Sequence, residues 1–330
     1  MERKTAVVLD ISTATYCLLP VMNELWTRLE ERQGEFDHYK QWEVNRRAVW
    51  EMVLKAQVME MLTLEWLGTH INLVEPVIFL AYDRKDVNNE YWRHEWLRGL
   101  TPLLPTRQLK RRKRVFDSVD DKVGRLVSEL PVEPIAYKGG RDYTQNELNR
   151  LKKAVRHVLK PVNVGHLGQV GYEADDFMAT VAQVNAMLPE DEQRNIVLCC
   201  NDSDVLGLVS ERVSWFDMPR KHFPLVRSNL TEINQWRTDV KHQPKLAAPS
   251  DIWAEKARDG DKSDNLPPTG EAMLTLPAID LLNPPDEHKL WQCPSHQQHI
   301  KHWLTSTQPR YHNTTGRVIM DKVRVVNVFR

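Results

Sequence analysis

Short apolar runs recur along the chain, separated by stretches of helical periodicity. Thr5 to Ile11 is continuous and rich in β-branched residues, the pattern of a strand buried on both faces. Pro76 to Tyr82 repeats it and ends at Asp83, and Asn195 to Cys200 is a third such run. Val162 to Val164 and Arg212 to Asp217 are shorter ones. Between them, Thr13 to Glu31, Asp37 to Gly68, Asp117 to Leu130, Asn146 to Leu159 and Glu173 to Leu188 read as helices. In the second of these, Val49, Met52, Val53, Ala56, Met59 and Leu62 recur at helical spacing and are expected to face the core. Strands alternating with helices predict an α/β fold, with a mostly parallel central sheet and helices on both faces. After about Leu230 the pattern shifts to short helices and many prolines, among them Pro244, Pro249, Pro267, Pro268, Pro284 and Pro285. Residues 1–218 are therefore expected to form the core and 219–330 a smaller, mainly helical C-terminal portion. Arg317 to Phe329 has β character.

The chain has 330 residues, 41% hydrophobic and 27% charged, enough to bury a sizeable core. A disordered chain, a collagen and a disulfide miniprotein are excluded. The four cysteines (Cys17, Cys199, Cys200, Cys293) form no C-x-x-C pair, which fits a reducing compartment. The first apolar run is short and contains Asp10, unlike a secretory signal, and no run reaches the eighteen apolar residues of a membrane span. A cytoplasmic protein without membrane attachment is expected.

Net charge is zero, with 45 basic and 45 acidic residues, but the charge is segregated. Arg93 to Lys160 carries 17 Lys and Arg against 8 Asp and Glu, including the run Lys110-Arg111-Arg112-Lys113-Arg114. Glu173 to Asp204 holds eight acids against Arg194 alone. Such a basic run is as readily a solvated helix face as a polyanion site. A basic stretch beside an acidic cluster is also what a metal-dependent enzyme acting on a polyanion needs.

Asp10 and Asp83 end the first two strands, and Asp202 and Asp204 follow the third long one. In a parallel α/β sheet, ligands bind beyond the carboxyl ends of the strands, so these acids are expected to converge. Glu173, Asp175 and Asp176 open a helix, where the dipole favours negative charge. Asp261 and Asp264 lie in the loop Asp259 to Asn265. Two carboxylates about 5 Å apart at an effective dielectric near 20 repel by roughly 3 kcal/mol. A larger group must be protonated, spread apart or neutralised by cations. Oxygen-only ligands point to Mg²⁺ or Mn²⁺, and two such ions could clamp a phosphodiester. Each acid alone could be no more than an N-cap. The 259–265 loop is no calcium loop, because its sixth position is Asp264 and its twelfth Gly270. Cys293, His296, His299 and His302 recur every third residue, and read as a polar helix face rather than a zinc site.

The ordered set resembles the 5′-nuclease family: flap endonucleases, the 5′-nuclease domain of DNA polymerase I, and phage RNase H and 5′–3′ exonucleases. Val7-Val-Leu-Asp-Ile-Ser12, Gly171-Tyr-Glu-Ala-Asp-Asp176, Asn201-Asp-Ser-Asp204 and Gly260-Asp-Lys-Ser-Asp-Asn-Leu-Pro267 carry the resemblance. Tyr91-Trp-Arg93 and Arg310-Tyr-His-Asn313 are similar to the tailed-phage RNase H branch. The resemblance implies a PIN-like 5′-nuclease core with a basic helical arch inserted at about 84–160. It implies that Asp10, Asp83, Glu173, Asp175, Asp176, Asp202, Asp204, Asp261 and Asp264 match metal-binding acids. Asp10, Asp83, Asp175 and Asp202 look like the first-metal group, and Asp204, Asp261 and Asp264 like the second. Glu173 and Asp176 would lie between them or further out. Arg93 would contact the scissile phosphate, and Arg107, Lys110, Arg111, Arg112, Lys113 and Arg114 would line the arch. Catalysis would fall to Asp10, Asp83, Arg93, Asp175 and Asp202.

The stretch Gly99 to Thr106 lacks the family's aromatic-lysine-x-x-arginine pattern at the arch base, and Pro267 to Met273 keeps one glycine of the duplex-binding hairpin. The implied activity is 5′–3′ exonuclease, flap endonuclease or RNase H, removing primers during phage DNA replication in a bacterial cell, with two Mg²⁺ or Mn²⁺ ions. Implied partners are DNA with single-stranded 5′ ends or flaps, RNA–DNA hybrids, a single-strand-binding protein and a replicative polymerase, and the protein would be a monomer. Two rival readings remain at this stage: a non-catalytic flap or junction binder, and a PIN-type single-strand ribonuclease.

Overall fold

The structure, a computed structural model, describes residues 3–31, 39–88, 90–94, 146–218, 225–261 and 279–306. Its centre is a six-stranded sheet. The strands are β1 (Thr5–Asp10), β2 (Val77–Ala81), β3 (Gly165–Leu167), β4 (Asn195–Cys200), β5 (Val213–Asp217) and β6 (Leu225–Arg227). Their spatial order is β3-β2-β1-β4-β5-β6. All neighbours are parallel except the β5–β6 pair. The mostly parallel sheet read from the apolar runs is therefore present, with β6 an addition that its three residues could not announce.

Alternation along the strands divides the core in two. Ala6, Val8, Val77, Phe79, Ile196 and Leu198 face one layer, and Val7, Leu9, Ile78, Leu80, Val197 and Cys199 the other. Strands that bury both faces must read as unbroken apolar runs, which is why they are visible in the sequence. Helices α1 (Ile11–Glu31), α2 (Tyr39–Leu62), α3 (Glu65–Gly68) and α4 (Asn146–Leu159) supply the second layer. Helices α5 (Ala174–Ala186), α6 (Leu230–Asp239), α7 (Asp251–Asp259) and α8 (Pro294–Leu304) supply the first. Ile233, Trp236, Trp253, Ile300 and Trp303 join Phe177 and Val181 in one cluster, so the described residues after 218 share the sheet's own core.

Two expectations for 37–68 are corrected. The helix breaks at Leu64, whose left-handed backbone (φ 57°) ends α2 and lets Leu64 and Leu67 turn inward. Of the expected stripe, Leu62 is buried and Val53 and Met59 pack against the core, but Met52 is 62% exposed and Ala56 is exposed; Leu54, Val58 and Met61 complete the buried apolar face. The apolar face is broad enough that spacing alone also took in two exposed positions at its margin. The expected strand at 162–164 lies at Gly165–Leu167 instead. A Cβ at Gly165 would lie 2.5 Å from the Phe79 ring, so glycine is needed for this edge strand to approach β2. Helix 117–130 and the strand at 317–329 lie outside the described residues.

Arg194 is the one base in the acidic stretch. It is buried at the opposite edge of the sheet, where its guanidinium donates to the carbonyls of Thr5 (3.2 Å), Glu75 (2.8 Å), Ser306 (2.9 Å) and Leu304. It thereby ties the end of α8 to the start of the sheet.

Candidate active site

β1, β2 and β4 are adjacent and parallel, so their carboxyl ends share one edge, at the point where chain order reverses about β1. Asp10 closes β1, in register with Ala81 of β2. Its carboxylate accepts the Ser12 amide (2.8 Å) and the Thr13 hydroxyl (2.5 Å). Asp83 lies two residues beyond β2. It accepts the Ser12 hydroxyl at one oxygen (2.5 Å) and the Ala174 amide at the other (2.9 Å). The first turn of α1 thus holds both strand-end acids, and the first turn of α5 holds Asp83. Lost hydration, followed by the charge of Asp83, pushes the Asp10 carboxyl up to about 7, against the pull of the Thr13 and Ser12 hydrogen bonds. Burial, and then the charges of Asp10 and Asp202, also raise the Cys200 thiol well above its ordinary range.

The acids opening α5 have a partner of their own. Arg93 is 3% exposed and grips Asp176 with two nitrogens, at 2.7 and 2.9 Å. It also donates to Glu173 at 3.1 Å and stands 3.8 Å from Asp175. Asp176 accepts the Glu173 amide (2.9 Å), closing the helix start. The Trp92 ring lies against the Arg93 guanidinium, 4.7 Å from its centroid, and stacks on His288 at 4.2 Å. The expectation places Arg93 at the scissile phosphate; in the structure it is enclosed by three carboxylates. Its charge orders the α5 acids.

A third group forms beyond β4. Asp202 caps the 3₁₀ turn Ser203–Leu208 by accepting the Asp204 amide (3.0 Å). Asp204 is buried and paired with the Lys256 ammonium, which also meets Asp261 at 2.6 Å. Two oxygens on one nitrogen stand within roughly 5 Å of each other, a separation that without a cation costs about 3 kcal/mol. Lys256 reaches them from α7. That helix is docked by Trp253, whose indole donates to the Asp204 carbonyl (2.9 Å) and lies against Gly207. A Cβ on Gly207 would sit 2.4 Å from the Trp253 ring. Gly260, at φ 75°, then turns the chain so that Asp261 comes back to Lys256.

Eight of the nine expected acids are thus described, in three groups: Asp10 with Asp83, the α5 acids on Arg93, and Asp204 with Asp261 on Lys256, Asp202 capping the turn before them. Among the described residues, no three His, Cys, Asp or Glu side chains form a ready-made metal cage. Their own cations and hydroxyls hold them in these separate groups instead. Asp264, Arg107, Lys110, Arg111, Arg112, Lys113 and Arg114 lie outside the described residues. The sequence reading missed Lys256, Trp253, Gly207 and Ser12; only Ser12 had a signal, its place directly after the strand-end acid. His296, His299 and His302 lie on α8, where burial lowers the pKa of His296 and His299.

Comparison with known proteins bears on the same edge. Residues 115–237 match the model of the 5′–3′ exonuclease N-terminal resolvase-like domain. Over this segment the chain is similar to the 5′–3′ exonucleases. The segment contains Glu173, Asp175, Asp176, Asp202 and Asp204. It also contains Tyr137-Lys138-Gly139-Gly140-Arg141, the aromatic-lysine-x-x-arginine pattern that the earlier stretch Gly99 to Thr106 lacks. The 5′–3′ exonuclease of Mycoplasmopsis pulmonis is 28% identical over 155 residues, 47% of this chain and 46% of that protein. DNA polymerase I of Streptococcus pneumoniae is 27% identical over 131 residues, 40% of this chain and 14% of that protein. The thermostable DNA polymerase I of Thermus caldophilus is 31% identical over 133 residues, again 40% of this chain and 14% of that protein. The chain thus spans less than half the length of these relatives. A solved structure of T5 5′-exonuclease with divalent zinc ions superposes with a TM-score of 0.43 at 12% identity, covering 90% of this chain and 84% of that one. So loose a superposition does not bear on the site.

Proposed function

We propose that this chain is a divalent-metal-dependent 5′ nuclease, hydrolysing phosphodiesters at single-stranded 5′ ends or flaps of DNA and RNA–DNA hybrids. One observation carries the reading. Asp10 and Asp83 end neighbouring parallel strands, share Ser12, and adjoin a family-matched segment that brings five further acids. The donors are carboxylate oxygens, which suit Mg²⁺ or Mn²⁺. The Asp10 carboxyl is raised to about 7, by burial first and the charge of Asp83 second, so its ionised form is costly here without a cation. Both facts fit a bound cation. Asp10, Asp83, Asp175 and Asp202 would hold a first ion, and Asp204, Asp261 and Asp264 a second. Such ions would supply Lewis acidity, polarising the phosphodiester and making a bound water more acidic than free water.

The chain's own residues do the rest. Ser12 and Thr13 fix the Asp10 and Asp83 carboxylates. Arg93 fixes Asp176 and Glu173, so that Asp175 alone of the α5 acids is left 16% exposed toward substrate. Arg150, Lys153 and Arg156 are exposed on α4, as is Lys160 just after it, and together they give a positive track for the phosphate backbone. Arg156 links that track to the acids, donating to the Asp83 carbonyl at 2.7 Å. The basic stretch with Lys138, Arg141 and Lys110 to Arg114, outside the described residues, would draw in the nucleic-acid backbone by its charge. Cleavage adds water across the phosphodiester and leaves a 5′-phosphate. Primer or flap removal in replication, in company with a polymerase and a single-strand-binding protein, is the role this chemistry suits.

The test is digestion of a 5′-labelled flap duplex in Mg²⁺, in Mn²⁺ and in EDTA, beside single-stranded RNA of equal length. Metal-dependent cutting near the flap junction, faster than on RNA, is expected. Tight binding without cutting would turn the reading into a junction binder, and a preference for RNA would turn it into a ribonuclease.

A further inference from the structure

The Lys256 ammonium lies between Asp204 and Asp261, close enough to bond both, at the position where two carboxylates of one site face each other. It is built in rather than incidental. The side chain is 10% exposed, its helix is pinned by Trp253 on Gly207, and the Gly260 turn returns Asp261 to it. Arg93 plays a different part: it is enclosed by aromatic and acidic groups and held by a bidentate grip that cannot be released without leaving three acids uncompensated. Lys256 carries its charge on a flexible four-carbon stem and can swing away.

We propose that Lys256 is an internal occupant of the second cation position. Its ammonium neutralises the Asp204–Asp261 pair when no metal is bound there, and competes with a divalent ion for that pair. A divalent ion then enters only by displacing Lys256, so the resting protein retains metal at the Asp10–Asp83 group and not at Asp204–Asp261. The displaced ammonium is left beside the site as a positive charge for the substrate phosphate. The proposal rests on the nuclease reading of the acids but concerns only the order in which its cation positions fill.

The test is a Mn²⁺ titration of the full chain without nucleic acid, followed by calorimetry and by the electron paramagnetic resonance of free Mn²⁺. Wild type, Lys256→Met and Lys256→Arg are compared. Lys256→Met should bind one more Mn²⁺ than wild type at the same free concentration, or bind its weakest ion at least about tenfold tighter. Lys256→Arg, which keeps the charge, should resemble wild type. In EDTA, Lys256→Met should melt lower than wild type and recover more than wild type on adding Mn²⁺. If Lys256→Met fails to fold in EDTA but folds once Mn²⁺ is added, the same competition is shown. A folded Lys256→Met with unchanged or weaker Mn²⁺ binding overturns the proposal, as does failure to fold with or without Mn²⁺. Absence of Mn²⁺ binding and of flap cleavage in wild type would instead overturn the nuclease reading itself.

Discussion

The Ser12 hydroxyl donates to Asp83 at 2.5 Å while the amide of the same residue donates to Asp10 at 2.8 Å. One side chain at the start of α1 thus sets the spacing of two strand-end acids that are 73 positions apart in sequence. Ser12→Ala removes the Asp83 contact and leaves the fold intact. Its expected effect is a loss of about 1 kcal/mol in stability and a tenfold or greater fall in metal-dependent cleavage, read by urea unfolding and by single-turnover kinetics. Full activity in Ser12→Ala would show that the pair needs no such spacer.

Asp10 gives a pH signature. Its folded-state pKa is raised to about 7, by burial first and the Asp83 charge second. Between its ordinary range near 4 and about 7, the folded chain holds a proton that the unfolded chain has released. Metal-free stability should therefore fall as pH rises through that window, and Asp10→Asn should flatten the fall. Metal binding near pH 6 should release protons, and the release should disappear by pH 8. Thermal melts in EDTA across pH 4 to 8, and titrations in buffers of different ionisation heat, read these effects.

Arg93 carries three acids in a nearly dry site. Arg93→Ala leaves Glu173 and Asp176 buried without their counter-charge and should cost about 3–5 kcal/mol. Arg93→Lys keeps the charge but loses the two-nitrogen grip on Asp176 and should recover only part of this loss. Equal denaturant midpoints for wild type and Arg93→Ala would mean that the cluster is not structural.

Gly207→Ala drives a methyl into the Trp253 ring. The expected cost is about 1–3 kcal/mol. Because Trp253 anchors α7, the displacement should also loosen Lys256 and Asp261 from Asp204. Gly207→Ala with Trp253→Leu, which makes room for the methyl, should regain part of that stability in urea unfolding, and equal midpoints for wild type and Gly207→Ala would contradict the contact.

The long strands β1, β2 and β4 were legible because a parallel sheet buries both their faces, and Asp10, Asp83, Asp202 and Asp204 because they follow those runs. The α2 stripe was half legible: Val53, Met59 and Leu62 meet the core, but Met52 and Ala56 are as apolar as the buried residues and yet are exposed. Lys256 was invisible for a different reason. Its partner Asp204 lies 52 positions away, and the contact depends on Trp253 meeting a glycine in a 3₁₀ turn. Arg93 was noticed, but its direction could not be read, because an arginine near acids and near a phosphate path looks the same in one dimension.

The most direct test of the acidic edge as a catalytic centre is cleavage of a 5′-labelled flap by wild type and Asp202→Asn in Mg²⁺, with binding of the same flap measured in parallel. The side-chain amide oxygen introduced by Asp202→Asn can accept the Asp204 amide as the carboxylate does, so the cap and the fold should survive. Loss of cleavage by about a thousandfold or more, with binding retained, is the expected result. Undiminished cleavage by Asp202→Asn would contradict the assignment of this edge as the site of hydrolysis.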